Sequence, residues 1–345
     1  MNGILRGKKV LVTGGTGSLG RALTRKLLQY DIDALRIFSR DEAKQLEMSS
    51  EFTDDRIRFF IGDVRDRDRL RLAIEDVDIV FHVAALKQVP VAEYNPFEAV
   101  KTNVLGSQNV IDVCIEEEVD VAMAISSDKA VSPLNTYGAT KLVMEKIFMA
   151  ANYYKGKRKS VFTAVRYGNV MGSRGSVIPQ FIKSIQANGR ITITNPEMTR
   201  FNITLSEALT LIMNGLHMAK GAEIFIPKLQ AYRLSDLAEV IVEMMGKKVD
   251  IAYSSIRPGE KMHESLINEG EAPYTVESNG TYVLLSPEVY TQHVNLYPDA
   301  RTNVIEGNYS SDKVPVIPKS TLKQIIEREI FDKTNQFRPI QIERP

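Results

Sequence analysis

Hydrophobic positions in the first half of the chain fall into short runs separated by helical spacings. Lys9–Thr13 (KVLVT), Ala34–Phe38 (ALRIF) and Ile57–Ile61 (IRFFI) read as strands. So do Asp78–Val83 (DIVFHV), Val121–Ile125 (VAMAI) and Ser160–Val165 (SVFTAV). Between the first two, Leu19, Leu23 and Leu27 recur at spacing four, one face of a helix. Strands that alternate with helices imply βαβ crossovers and a parallel sheet. The predicted fold class is therefore α/β: a doubly wound parallel sheet of the Rossmann type with a smaller α/β substrate-binding part.

Beyond Tyr167 the pattern loses its regularity. Loops carry Gly168, Gly172, Gly175 and Pro179, and a helical run covers Val177 to Asn188. A strand at Arg190–Thr194 follows, then helices near Leu205–Met218 and Leu234–Met245. Past about Val294 the chain is polar and irregular until a short helix near Ser320–Glu327. The expected division is a nucleotide-binding unit over 1–167, with some later segments returning to it. A mainly substrate-binding unit covers 168–294, and an extension of unassigned role covers 295–345. There is no internal repeat and no low-complexity segment.

Composition narrows the picture. Across 345 residues, 43% are hydrophobic and 25% charged, ordinary values for a globular chain with a sizeable core. The net charge of +1 supplies no global field for nucleic acid or an anionic membrane, so neither is expected as a partner. The single cysteine, Cys114, excludes an intrachain disulfide framework and is expected to be buried on an apolar helix face. The opening MNGILRGKKVLVTGG runs straight into a strand without a signal-peptide pattern, and no window approaches 18 consecutive apolar residues. A cytoplasmic location is the expectation.

The segment Thr13-Gly14-Gly15-Thr16-Gly17-Ser18-Leu19-Gly20 joins the first strand to the first helix. Glycines at 14, 17 and 20 permit a tight turn and let backbone N–H groups approach a pyrophosphate. The helix N-terminus behind them adds partial positive charge. A glycine cluster alone is weak; its place between strand one and helix one makes this a dinucleotide site. Strand two ends Phe38-Ser39-Arg40 with Lys44 one turn on, where an NAD site would carry an acidic residue. Basic groups suit a 2′-phosphate, so NADP is the expected cofactor. Asp41 is read as the cap of the helix that begins there. Asp63, followed by Val64, either reaches the adenine or merely ends strand three.

Tyr137-Gly-Ala-Thr-Lys141 is a YxxxK element opening a helix, and spacing four puts both side chains on one face. A nearby ammonium would lower the phenol's pKa and make it a usable base. Ser127, at the end of strand five, either hydrogen-bonds the same substrate oxygen or caps a turn. Asp128-Lys129 adds a carboxyl and an amine beside it, or else forms a surface ion pair. No His/Cys cluster has metal-ligand spacing, so no metal is expected.

Together these residues resemble the extended short-chain dehydrogenase/reductase family from about Lys8 to about Leu266. The stretch SSDKA with YGATK is similar to the inverting UDP-N-acetylglucosamine 4,6-dehydratases, where Asp-Lys replaces the Asp-Glu of dTDP-glucose 4,6-dehydratases. SRDEAKQ (39–45), AALKQVPVAEYNP (84–96), KTNVLGSQNV (101–110), RYGNVMGSRGSVIPQF (166–181), MTRFNITLSEA (198–208) and RPGEKMHE (257–264) extend the match. The resemblance implies that Tyr137 deprotonates a sugar hydroxyl as hydride leaves that carbon, with Lys141 on the nicotinamide ribose. Asp128 would be the acid at O6 and Lys129 the base at C5. Burial or cationic neighbours must then lower the lysine's pKa from about 10.4. Lys87 is a second candidate for an acid/base role and, with Ala84, Ala85 and Asn103, would border the cofactor.

Hydride returned to C6 and reprotonation of C5 from the opposite face would give UDP-2-acetamido-2,6-dideoxy-β-L-arabino-hexos-4-ulose. The AALKQVP and SRGSVIP wording also resembles bifunctional dehydratase/5-epimerases of capsule and O-antigen synthesis. Many of those carry methionine where this chain has Tyr137. A UDP-hexose 4-epimerase, which needs only the tyrosine, is a further alternative.

A diphosphate needs cationic forks. Arg200 and Arg257 lie in the motifs that resemble the family's pyrophosphate clamp, and Asn169 and Arg174 in the loop after strand six. Glu260 would orient a sugar or ribose hydroxyl, or an arginine. The implied partner is UDP-N-acetylglucosamine or a related UDP-hexose. Family members are homo-oligomers, often hexamers.

Overall fold

The computed structural model describes residues 2–173 and 176–331. Six strands, β1 (Lys9–Thr13), β2 (Ala34–Ser39), β3 (Ile57–Ile61), β4 (Ile79–His82), β5 (Val121–Ile125) and β6 (Val161–Val165), pair in parallel in the spatial order β3-β2-β1-β4-β5-β6. Helices Ser18–Leu27, Glu42–Glu51, Arg67–Ile74, Gly106–Glu116 and Thr136–Tyr154 make the crossovers. This is the doubly wound nucleotide-binding order, with its switch point between β1 and β4. The central strands β1, β4 and β5 are buried along almost their whole length, which is why they read as unbroken apolar runs. Cys114 lies on the buried face of Gly106–Glu116.

The remaining strands are β7 (Arg190–Ile193), β8 (Thr199–Phe201), β9 (Glu223–Pro227), β10 (Ala231–Arg233), β11 (Asp250–Tyr253), β12 (Ser265–Ile267), β13 (Thr275–Ser278), β14 (Thr281–Leu285) and β15 (Tyr309–Ser310). Three of them return to the main sheet. β9 joins β6 in parallel, and the β13–β14 hairpin adds antiparallel to β9, giving nine strands. The others form three two-stranded ribbons, β7–β11, β8–β10 and β12–β15. Helices Val177–Asn188, Leu234–Met245 and Lys319–Ile330 close a separate apolar cluster around Ile182, Leu237, Ile241, Leu322 and Ile326. The polar tail expected past Val294 thus contributes β15 and a helix running to Ile330, longer than the Ser320–Glu327 run legible in the sequence. Among the described residues, no helix is long and apolar enough to cross a membrane.

One buried acid couples the sheet to pH. Glu223 opens β9 fully buried, and its Oε1 accepts from the Lys220 N–H at 3.1 Å. Burial pushes its carboxyl up to about 7, against the hydrogen bonds that hold it down. The folded chain therefore keeps this proton where the unfolded chain has lost it. Its stabilising contribution is complete below about 4.5 and disappears as pH rises through about 7. Glu223→Gln should match the parent near pH 4.5 and exceed it well above 7, by about 3 kcal/mol at about 1.4 kcal/mol per unit. Denaturant unfolding at the two pH values measures this; a gain independent of pH would exclude the titration.

Candidate active site

The dinucleotide cleft starts at the β1 turn. Gly14 has φ +65°, and a Cβ there would lie 2.8 Å from the Ala84 backbone after β4, so the two loops meet only because this residue is glycine. Two adjoining cavities run over this turn. One, about 230 Å³, is lined by Gly14, Thr16, Ser39, Arg40, Asp41, Lys44, Asp63, Val64, Ala84, Ala85 and Thr102. The other, about 290 Å³, is lined by Gly17, Ser18, Leu19, Lys87, Ser126, Ser127, Tyr137, Lys141 and Asn169 among others. Each has a buried hydroxyl with no partner among the described residues, Thr102 Oγ1 in the first and Ser126 Oγ in the second. Unmet buried acceptors and a glycine cradle fit a bound dinucleotide.

At the first cavity the acidic groups are already engaged. Asp41 accepts from the Lys44 N–H as the expected helix cap and pairs with Lys44 Nζ at 2.6 Å. Asp63 pairs with Arg65 at 2.8 Å and stands 3.6 Å from Arg40. Asn103 is placed behind the lining. Its Oδ1 accepts from Leu86 N–H at 2.8 Å, and its Nδ2 donates to Leu86 O at 2.9 Å and Thr140 Oγ1 at 3.0 Å. It therefore ties the loop after β4 to the helix that carries Tyr137, from a single π-wound turn, Lys101–Leu105. Gly20 is likewise outside both linings.

Tyr137 and Asp128-Lys129 are brought together by close backbone contact. Asn135 caps the helix Thr136–Tyr154 by accepting from Gly138 N–H at 2.8 Å. A Cβ on Gly138 would meet the Lys129 carbonyl oxygen at 2.1 Å, so the helix start rests directly on the turn Asp128–Ala130. Ser127 caps that turn, accepting from Lys129 N–H at 3.2 Å, and also donates to Asp128 Oδ1 at 2.8 Å. Ser127 is therefore the cap of the turn, and it also lines the second cavity.

Asp128 and Lys129 do not form a surface pair. The Asp128 side chain is 1% exposed and that of Lys129 18%. Lys129 Nζ donates to Asp128 Oδ1 and to Asn169 Oδ1, each at 3.1 Å, and lies 3.6 Å from Glu264 Oε1. Two expectations about charge are corrected here. The Lys129 ammonium was expected below its ordinary value; burial does push it down, but Asp128 and Glu264 outweigh burial and hold it above. Tyr137 was expected to be lowered by Lys141. Burial instead raises the phenol, and the influences pulling it back are the Lys129 charge and the Ser127 hydroxyl. Lys141 donates to the Ile125 carbonyl at 2.6 Å, and burial brings it down to about 8 despite Glu145.

A third cavity, about 490 Å³, adjoins Lys129 and Asn169 and is lined by Arg200, Arg257, Glu260, Lys261 and Glu264. Arg200 is buried and anchored on the Thr199 and Met262 carbonyls at 2.7 and 3.0 Å. Glu260 lies 3.5 Å from the Arg200 guanidinium and accepts from the backbone N–H of Arg257 at 3.4 Å, so it meets one arginine at its side chain and the other at its main chain. Arg174 lies outside the described residues. Thr102, Ser126 and Glu264 were not singled out in the sequence as site residues; Ser126 and Glu264 stand inside the quoted motifs SSDKA and RPGEKMHE.

The sequence pattern of one family, described as polysaccharide biosynthesis protein, matches residues 10–285. The chain belongs to that family. Within it, a Campylobacter jejuni protein named UDP-N-acetylglucosamine 4,6-dehydratase (inverting) is 44% identical over 341 residues, spanning 96% of this chain and 98% of its own. A Rickettsia felis protein named UDP-glucose 4-epimerase is 40% identical over 279 residues, spanning 80% and 82%. The crystal structure of Pen from Bacillus thuringiensis superposes with a TM-score of 0.88 at 42% identity, covering 94% of this chain and 98% of that one. The polysaccharide-biosynthesis chain thus has the extended short-chain dehydrogenase/reductase fold that its motifs resemble.

Proposed function

We propose that the chain is a UDP-N-acetylglucosamine 4,6-dehydratase that inverts C5 and works with NADP. The observation that carries this reading is the Asp128–Lys129 pair beside the Tyr137 phenol, where the cofactor cleft meets the arginine-lined cavity. Oxidation and re-reduction at C4 alone would need only the phenol. Loss of water also needs a base at C5 and an acid at O6, and the buried pair supplies both. Moving one proton from Lys129 Nζ to Asp128 Oδ1, 3.1 Å away, creates the amine and the acid together. The amine then takes the C5 proton while the carboxylic acid protonates the departing O6.

The nicotinamide, when bound, accepts hydride from C4 and returns it to C6. Tyr137 takes the hydroxyl proton, Lys141 and Ser126–Ser127 border the ring site, and Lys87 remains a second acid/base candidate. Arg40 and Lys44 meet the 2′-phosphate. Arg200 and Arg257 hold the diphosphate, with Asn169 joining the sugar side to Lys129. A cytoplasmic homo-oligomer is part of the same reading.

The Rickettsia relative's name favours a second reading, a UDP-hexose 4-epimerase. One incubation separates the two. With UDP-N-acetylglucosamine, catalytic NADP and no reductant, the dehydratase yields a product lighter by one water, and NMR reads the C5 configuration. An unchanged mass with an altered C4 centre would identify the epimerase and overturn the proposal.

A further inference from the structure

Glu264 lies at the floor of the arginine-lined cavity with an unusual balance of contacts. Its main chain is fixed: the N–H donates to Ser311 Oγ at 3.0 Å, and the carbonyl accepts from Ser311 N–H at 2.8 Å. Ser311 is in turn bonded to Thr199 Oγ1 at 2.7 Å, so the residue is pinned between β8 and the segment after β15. The residue is 4% exposed. Oε1 stands 3.6 Å from Lys129 Nζ, whereas Oε2 is buried and has no hydrogen-bond partner among the described residues. An unmet buried acceptor is costly, and more so when charged. The cations nearest in the cavity are committed elsewhere, Arg200 to two carbonyls and Lys261 to the Val131 carbonyl. A donor entering with a ligand is the natural complement, and a hexose brings several hydroxyls.

We propose that Glu264 is a positioning residue that joins Lys129 to the sugar: Oε1 fixes the lysine and Oε2 accepts a hydrogen bond from a hydroxyl of the bound hexose. The proposal rests on the dehydratase reading given above. It has a second consequence. The groups facing Lys129 are Asp128 on its own turn, Arg200 from β8, Tyr137 from the helix Thr136–Tyr154, Tyr232 from β10 and Glu264; Lys261 faces the same carboxylates. Water loss needs the proton shared by Asp128 and Lys129, and that proton is lost on the alkaline side. Glu264 helps keep it in place, so removing the Glu264 charge must bring the alkaline loss of activity to lower pH.

The test uses full-length Glu264→Gln and Glu264→Asp. In calorimetry, Glu264→Gln should bind UDP-N-acetylglucosamine about tenfold or more weakly and UDP alone unchanged, since a hydrogen bond to a charged group is the quantity removed. Its alkaline limb for water loss should fall about 1–3 units lower, while Glu264→Asp, which keeps the charge, retains the parent's limb. Unchanged UDP affinity also reports an intact fold, and if Glu264→Gln does not fold, the loss of sugar affinity in Glu264→Asp carries the test. Glu264→Gln with parental sugar affinity and an unmoved limb overturns the proposal while an active parent leaves the dehydratase reading standing. A parent that does not consume UDP-N-acetylglucosamine removes both.

Discussion

Lys129→Ala loses water from UDP-N-acetylglucosamine about 10²–10⁴-fold more slowly than the parent, yet still oxidises C4. The two steps use different groups. Oxidation relies on the Tyr137 phenol and the cofactor cleft, whose lining does not include Lys129. Elimination relies on the amine and on the proton it hands to Asp128 across 3.1 Å. Alanine removes the base and strands the carboxylate of Asp128, whose side chain is 1% exposed and which keeps the Ser127 hydroxyl as a donor. Stopped-flow absorbance should therefore show reduced nicotinamide accumulating, where the parent shows it only transiently, and mass spectrometry should show no water loss. Full dehydratase activity in Lys129→Ala would mean that another group, with Lys87 the next candidate on the cleft wall, takes the C5 proton.

The corrected charge of Lys129 sharpens this expectation. A base held as an ammonium by two carboxylates is scarce in its neutral form, but it keeps the proton it captures strongly. That trade suits removal of a weakly acidic C–H. It also fits a pair whose two carboxylates, Asp128 and Glu264, outweigh both burial and the nearby Arg200.

Much of the fold was legible because each parallel strand is buried on both faces and therefore reads as a run. β9 and the β13–β14 hairpin were harder to read. Their partners lie far off in sequence, and nothing local reports that they extend the sheet past β6. The hairpin itself had a signal: Asn279-Gly280 separates two β-rich runs, and both residues take positive φ, 48° and 72°. In the site, motif spacing located Tyr137, Lys141, Asp128 and Lys129. The electrostatics escaped it, because burial and Asp128 act on Lys129 together with Glu264 and Arg200, which arrive from separate segments. Asn103 was legible as part of a motif, but its task of holding the Leu86 backbone shows only in three dimensions.

The largest expected effect on stability is at Arg166, which directly follows β6 and is 1% exposed. Its guanidinium donates to Glu145 at 2.9 and 2.6 Å, to Glu271 at 2.9 Å twice, and to the Leu266 carbonyl at 2.9 Å. All five N–H donors are used. Glu145 lies on the helix of Tyr137 and Lys141, and Leu266 is two residues beyond Glu264, so the arginine braces both halves of the site. Arg166→Leu removes the guanidinium charge between two inward carboxylates and should lower the unfolding free energy by about 3–5 kcal/mol, read by denaturant titration. The triple variant Arg166→Leu/Glu145→Leu/Glu271→Leu should recover most of that loss, because no unpaired buried charge is left. If the single variant is as stable as the parent, the triad is not what holds the helix to β12. If the triple variant is no better than the single one, packing and not charge is the cause.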